Sequence, residues 1–426
     1  MASCARLYPL PRRSVRAAYL VFSLVSIALR NLVRQSRRSA AAITAIAFGI
    51  VAMMLAAGFI EWIFLEMRES TIHAHLGHLQ IVRPGYYEMG RADPFRYFLP
   101  EGGPSLNAVL SAPGVRSVAP RLNFSGLVSH GETTLSFIGE AVDPSREKEL
   151  SRSLIITEGS TLVEGDAKGV LFGEGLARNL GVTLGDDVVL VATQRSGGVN
   201  AVELTVRGLM SSVTKSYDDS ALRVSIGTAQ QLLRSRGAHA WVVLLDDTGR
   251  TNALAVQLRA ALPRGEFEIV PWYSLADFYN KTVALFSKQV AFVKLIIAVI
   301  IILSIANTMM MTVMERTGEI GTSLALGSTR RRVLASFLCE GALLGVLGAA
   351  VGSALGLALA YVISAVGIPM PPPPGMAHGY VGAILITPRL TLEAIVLAVV
   401  TTLIASAYPA WRASRLVIVD ALRHNG

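Results

Sequence analysis

Between Arg38 and Glu61 the chain carries no charged residue, and the stretch AAAITAIAFGIVAMMLAAGFI within that interval is almost wholly apolar. A hydrocarbon core about 30 Å thick takes roughly 20 apolar residues of helix. This run is therefore a first membrane span, over residues 39–65. A second is LIIAVIIILSIANTMMMTVM, between Lys294 and Glu315, in a segment placed at 288–314. After Arg332 a single charge, Glu340, appears before Arg389, and that stretch is too long for one helix. The run IPMPPPPG at 368–375 divides it, because consecutive prolines cannot continue a helix. A third span then covers 333–366 and a fourth 387–409, ending at Pro409. Only 16% of the 426 residues are charged, against about 25% in soluble domains.

Arginine placement orients these spans. Segments 1–38, 315–332 and 410–426 hold eight, four and three arginines against three acids, Glu315, Glu319 and Asp420. Their net charge is +12 in a chain whose total is +9, so everything else sums to −3. With four spans the three basic segments share one side, and the positive-inside rule makes that side cytoplasmic. The basic charge is thus a topology signal and gives no ground for a nucleic-acid partner. Residues 17–29 are too short an apolar stretch for a secretory signal, lack a small-residue cleavage site and run into more arginines. LVSIALRNLVRQSRRS reads as a cytoplasmic amphipathic helix lying on the membrane and entering span one. The two cysteines, Cys4 and Cys339, lie in a basic tail and in an apolar run, which argues against a disulfide or a metal framework.

Residues 66–287 fall on the outer side and suffice for a folded domain. HLQIV, SVAPRL, GLVSH, TLSFIGEAV, GVLFG, DVVLVAT, AVELTVRGLM and AWVVLLDD read as strands bounded by Gly, Pro and Asp. GEGLARNLG, TAQQLLRSRG and TNALAVQLRAAL read as helices. The expected fold class is four transmembrane α-helices plus a large α+β extracytoplasmic domain between the first two, with a possible inserted subdomain at 156–237. Helices at 61–75 and 274–293 are expected to carry spans one and two outward. The second outer loop, 367–386, is short and stiffened by proline.

Several stretches carry a family resemblance. ALRNLVRQSRRSAAAITAIAFGI, TIHAHLGHLQIVRPGY, VLFGEGLARNLGVTLGDDVVL, VMERTGEIGTSLALGSTRRRVLASFLCEGALLGVLG and YPAWRASRLVIVDALR together resemble the MacB/FtsX-type ABC transporter permeases, including the lipoprotein-releasing LolC/LolE branch. The resemblance covers nearly the whole chain and is most specific around spans two and three. It implies a second permease copy or paralogue and a cytoplasmic ABC ATPase dimer that supplies ATP and Mg. It also implies movement of the outer domains by leverage, with no cargo passing through a central channel. No GxxxxGK[ST] phosphate loop occurs in this sequence. The chain is therefore expected to be a non-catalytic subunit that binds no cofactor of its own.

Residues 315–332 are the candidate ATPase contact, since the family places a coupling helix there. Glu315, Arg316, Glu319, Leu324, Leu326 and Arg330 are the candidate residues, with Glu315, Arg316 and Glu319 on neighbouring faces of one turn. The plainer alternative is a basic loop that only fixes topology. Glu340, about two turns into span three, is a functional candidate by position, though a structural role at the cytoplasmic interface is favoured. Gly341, Gly345, Gly348, Gly352 and Gly356 are spaced for close packing of span three on its neighbours. His73, His75 and His78 form HxHxxH, but no cysteine or carboxylate cluster joins them, so a structural role is favoured over a metal site. Tyr217, Asp218 and Asp219 read as a solvated turn, with a partner contact as the alternative. No hydrolase constellation is present.

The expected function is export or extraction of an amphipathic cargo, lipoprotein or lipid, with a periplasmic partner possible, at a Gram-negative inner membrane. Met53, Met54, Phe59, Phe64, Phe286, Phe292 and Ile296 are the candidate cargo-facing residues, Met and Phe being adaptable apolar surfaces. Facing lipid or the dimer partner is the alternative for each. The competing function is an FtsX-like signalling subunit that controls an extracytoplasmic enzyme without transport.

Overall fold

The computed structural model describes residues 25–90, 92–152, 154–212, 215–371 and 379–417, with His75 and Tyr380 described by backbone alone. The sequence readings for 1–24, for the prolines beyond residue 371 and for 418–426, including Asp420, lie outside the described residues. The chain divides into two units: Met1–Ile63, Leu285–Ile368 and Gly382–Gly426 form one, and Phe64–Ala284 with Pro369–Val381 the other.

The first unit is the membrane bundle. Its four long helices are Ser36–Thr71, Asp277–Glu315, Arg330–Val366 and Pro388–Ser414. Each is long and apolar enough to cross a bilayer. Residues 25–34 form a separate helix that a turn at Gln35 divides from the first span. Two of the starts are written in the local sequence. Thr329 caps the third helix by accepting from the Arg332 N–H at 3.3 Å, and Thr387 caps the fourth from Leu390 at 3.2 Å, ahead of Pro388 in the first turn. The fourth helix does not stop at Pro409, where the sequence reading ended it, but continues to Ser414. Proline removes one backbone donor without ending a helix that neighbours hold in place, a tolerance common in membrane spans.

The glycine stripe of the third helix explains how the bundle closes. A Cβ at Gly341 or Gly345 would collide with Ser406 or Thr402 of the fourth helix, at 1.9 and 2.2 Å. One at Gly348 or Gly352 would meet Ile46, Ala47 and Ile50 of the first helix at 2.7–2.9 Å. The stripe therefore divides, its first part seating span four and its second part seating span one. Span two joins through Ile297 and Ile301, which lie over Gly49.

The second unit is an α+β domain on a mixed ten-stranded sheet. Its strands are β1 Leu79–Val82, β2 Val115–His130, β3 Thr133–Val142, β4 Ile155–Gly159, β5 Gly169–Gly173, β6 Asp187–Thr193, β7 Val199–Ser211, β8 Ala221–Ser225, β9 Ala240–Leu245 and β10 Glu268–Pro271. The order is β10-β1-β9-β2-β3-β8-β5-β7-β4, with β6 pairing β2 and β7. The two strands expected at SVAPRL and GLVSH are one 16-residue strand. Pairing to β3 begins only at Arg121, so the missing N–H of Pro120 breaks no bond on that edge. The stretch 156–237 supplies β4, from its second residue, through β8 and shares the sheet. With β2 and β3 its strands enclose one core around Phe137, Phe172, Leu190 and Leu222, while a second core gathers Ile81, Trp241, Val243 and Leu258.

A buried ionic network lies where β2, β3 and β8 meet. Arg121 on β2 donates to Glu140 of β3 at 2.8 Å and also bonds Glu147; Arg223 on β8 pairs with Glu140 at 2.6 Å. All four side chains are below 10% exposed. The Tyr217 hydroxyl donates to Glu140 at 3.3 Å, so this tyrosine belongs to the network and not to a solvated turn. Arg223 also donates to the Ala74 carbonyl at 3.2 Å, in a π-helical turn, Ile72–Leu76, that follows the first long helix. Asp218 is likewise buried, accepting from the Ser212 N–H at 2.9 Å and the Ser211 hydroxyl at 3.1 Å. Burial pushes its carboxyl above the usual range against those hydrogen bonds.

Replacing Gly352 by Val is expected to destabilise the bundle by about 1–3 kcal/mol or more through overpacking. Gly102→Ala, at a site with nothing within 4 Å, is expected to be neutral. Thermal unfolding of the detergent-purified chain tests the pair, and equal melting temperatures for both variants contradict the seating of span one on this glycine.

Candidate coupling site and apolar cleft

The second span ends at Glu315, Arg316 leaves helical geometry, and a short helix, Thr317–Ala325, follows. Gly327 at φ 95° then turns the chain toward the Thr329 cap. This turn is cross-braced by Ser323 on Ser328 at 2.9 Å. Arg316 is the hub of the segment. Its Nε donates to Glu319 at 3.2 Å and its Nη1 to Glu340 at 3.3 Å. Its guanidinium lies 5.5 Å from the centre of the Phe337 ring. Asn31, with its amide oxygen turned toward the guanidinium, accepts from Nη1 and Nη2 at 3.2 and 2.8 Å. Arg34 bonds the second side of Glu319, and Arg38 grips Glu315 with both terminal nitrogens. Hydrogen bonding from Arg34, with Arg316 adding to it, holds the Glu319 carboxyl below the usual range.

The six residues expected at a coupling site therefore divide. Glu315, Arg316 and Glu319 are engaged by the N-terminal segment and by span three. Leu324 packs against the bundle core. Leu326, 85% exposed, and Arg330 face outward. Glu340 takes the structural role, buried at 4% exposure beside Arg316 at 15%. Asn31, Arg34 and Arg38 were not in the candidate set, because nothing in the local sequence pairs Arg34 and Arg38 with acids 285 and 277 residues away, or Asn31 with Arg316.

A second feature is an apolar cleft of about 290 Å³ between spans one and two. Met53, Phe59, Ile60, Ile63, Phe286 and Val293 line it, with Gln289 and Lys294 as its polar members. Lys294 is held by Glu393 of span four at 2.7 Å, and Glu393 by Arg389 at 3.1 Å. Of the expected cargo-facing residues, Met53, Phe59 and Phe286 line this cleft. Met54 does not: it lies against Gly356 of span three, whereas Met53, equally buried, borders the cleft. Phe292 and Ile296 are exposed on another side of span two, and Phe64 is half-buried in the second unit.

The histidine motif is built into the outer domain. His78 Nδ1 accepts from the Leu245 N–H at 3.1 Å, which fixes the tautomer, so Nε2 donates to Thr248 at 3.0 Å. Burial, with the neighbouring His73, pushes the imidazole down to about 4, and both ring nitrogens are occupied by the fold. Among the described residues no group of His, Cys, Asp or Glu is placed to hold a metal ion. Asp219 lies beside Gly175, where a Cβ would come 1.9 Å from its Oδ1.

Two family profiles match this arrangement. Residues 39–261 match the MacB-like periplasmic core domain, and residues 291–418 the C-terminal domain of FtsX-like permeases. The chain belongs to the MacB/FtsX-like ABC transporter permeases. An uncharacterized ABC transporter permease of Methanocaldococcus jannaschii is 24% identical over 297 residues, which is 66% of this chain and 69% of that one. The macrolide export ATP-binding/permease protein MacB of Syntrophobacter fumaroxidans is 33% identical over 163 residues, covering 36% of this chain and 20% of its own length. The chain thus spans about a fifth of that MacB relative. The periplasmic region of MacB from Actinobacillus actinomycetemcomitans aligns at 15% identity and a TM-score of 0.34, over 48% of this chain and 93% of that one.

In this permease, Arg316→Met is expected to cost about 3–5 kcal/mol, because it leaves Glu340 buried without its partner. Arg316→Met combined with Glu340→Leu is expected to recover most of that loss. A double-mutant cycle on thermal unfolding measures it, and simple additivity contradicts the pairing.

Proposed function

We propose that this permease couples a separate ATPase chain, bound at the Thr317–Ala325 helix on the cytoplasmic side, to extraction or export of an amphipathic lipid or lipoprotein. The observation that carries the reading is the division of the loop. Its charged half is locked to the bundle while Leu326 projects with 85% of its surface bare. An exposed leucine on a braced turn suits an apolar pocket on another protein, and a rigid mount passes displacement on to spans two and three. The cytoplasmic assignment of this side rests on its arginines, and an inner-membrane location with both termini in the cytoplasm is part of the same proposal. ATP and Mg belong to the partner, and a second permease copy or paralogue completes the assembly.

The cleft supports the cargo half of the reading. Its wall is methionine, phenylalanine and isoleucine, and Lys294 stands at its polar end. An acyl chain fits such a wall, and the ammonium with Arg389 nearby offers charge to an anionic head. A covalent or hydrolytic role for the cleft has no support in its residues.

Leu326→Glu is expected to weaken co-purification with the ATPase at least tenfold while leaving thermal unfolding unchanged. Retained association contradicts the docking assignment. In complexes isolated in native lipid, Ala57→Trp is expected to deplete the co-purifying lipid or lipoprotein by filling the cleft. A stoichiometric outer-domain hydrolase with no amphipathic cargo instead establishes the FtsX-like regulatory reading.

A further inference from the structure

The helix at 25–34 has three faces, and the bundle uses only one. Ala28 and Leu32 are buried, with Leu32 in the core of the membrane unit. Asn31 meets Arg316. Next to this face runs Val25, Leu29 and Val33, at four-residue spacing, all exposed and Val33 at 72%. Such spacing places them in one stripe about one helix long. Arg30 and Arg34 flank the stripe on its far side, and Arg37 follows just past the turn. Among the described residues no acid pairs with Arg30 or Arg37, whereas Arg34 and Arg38 hold Glu319 and Glu315.

An apolar stripe bordered by arginines, on a helix leading straight into a membrane span, has the geometry of a segment lying in the bilayer interface. Its arginines then sit at headgroup depth. Two of them are already committed to exposed carboxylates through pairs of the kind that are individually weak and solvent-screened. A phosphate headgroup competes for the same guanidinium with the same fork geometry.

We propose that this segment is a binding surface for anionic lipids of the adjoining leaflet, and that those lipids compete with Glu319 and Glu315 for Arg34 and Arg38. Val25, Leu29 and Val33 enter the acyl boundary, and Arg30 and Arg37 bind headgroup phosphates. The acidic-lipid content of the leaflet thereby sets how tightly the Thr317–Ala325 helix is held. The proposal rests on the reading of this side as cytoplasmic, and adds a regulatory ligand to the candidate coupling site.

The test uses the full chain with its two cysteines replaced (Cys4→Ser, Cys339→Ala) and a spin label at Val33→Cys. It is reconstituted in phosphatidylcholine vesicles with and without phosphatidylglycerol. The label is expected to sit deeper in the anionic vesicles, and hydrogen exchange across Thr317–Ala325 to speed up about two- to fivefold there. Arg30→Gln with Arg37→Gln is expected to reduce the preference for anionic vesicles about fivefold per arginine and to flatten both differences. Equal label depth and equal exchange in the two vesicle types overturn the proposal. So does a label that stays in water in both and is immobilised only when the ATPase is added, which makes the stripe a protein contact. Sidedness is read separately, with a second label at Glu164→Cys in the outer domain and a reductant outside sealed right-side-out vesicles. Reduction of the Val33 label instead of the Glu164 label overturns the cytoplasmic reading and the leaflet assignment with it.

Discussion

Arg316 is the residue on which the loop between spans two and three depends. A guanidinium at 15% exposure needs its donors satisfied, and it reaches into three separate elements to do so. Glu340 comes from span three, Asn31 from the N-terminal helix and Glu319 from the short helix that Arg316 itself introduces. Each partner fixes one element against the end of span two. With Arg38 on Glu315 and Arg34 on Glu319, the N-terminal segment and the loop become one charged lattice. The loop is thereby a rigid mount, and its free side carries Leu326 beside Arg330.

The bundle above it is organised by the absence of side chains. Glycines on span three bring spans one and four into backbone contact, which in lipid is a main source of helix affinity. Span two takes no part in that seam. Fewer of its apolar side chains are buried than in the other three spans. It is attached chiefly along one side, where the isoleucines cover Gly49, and by Lys294 on Glu393. The least buried span is thus the one that carries the loop at one end and a wall of the cleft toward the other.

Much of this was legible in order. Charge-free length marked the spans, and arginine placement is the argument for their sidedness. Strand and helix segments in the outer domain were recognisable wherever apolar residues ran between Gly, Pro and Asp. What failed were the places where long-range pairing overrules local pattern. Arg223 makes ALRVS look polar, yet β8 is central, because Glu140 and the Ala74 carbonyl meet the guanidinium inside the domain. Pro409 looks like a terminus, yet the packed bundle carries the helix through it. Met54 follows Met53 in sequence, yet one step of helix turns it to Gly356 of span three and away from the cleft. The arginines of the N-terminal segment read as topology, and their contact with Glu315 and Glu319 had no sequence signal because the partners lie hundreds of residues apart.

The central claim is that Leu326 faces a partner protein while Glu315, Arg316 and Glu319 of the same loop are locked to the bundle. Site-specific photocrosslinking in growing cells tests it most directly. A photoreactive residue at Leu326 is expected to yield a covalent adduct with an ABC ATPase subunit. The same residue at Tyr361, exposed at 78% near the other end of span three, is expected to yield none. Adducts at Leu326 with lipid alone, or the same ATPase adduct from both positions, contradict the account.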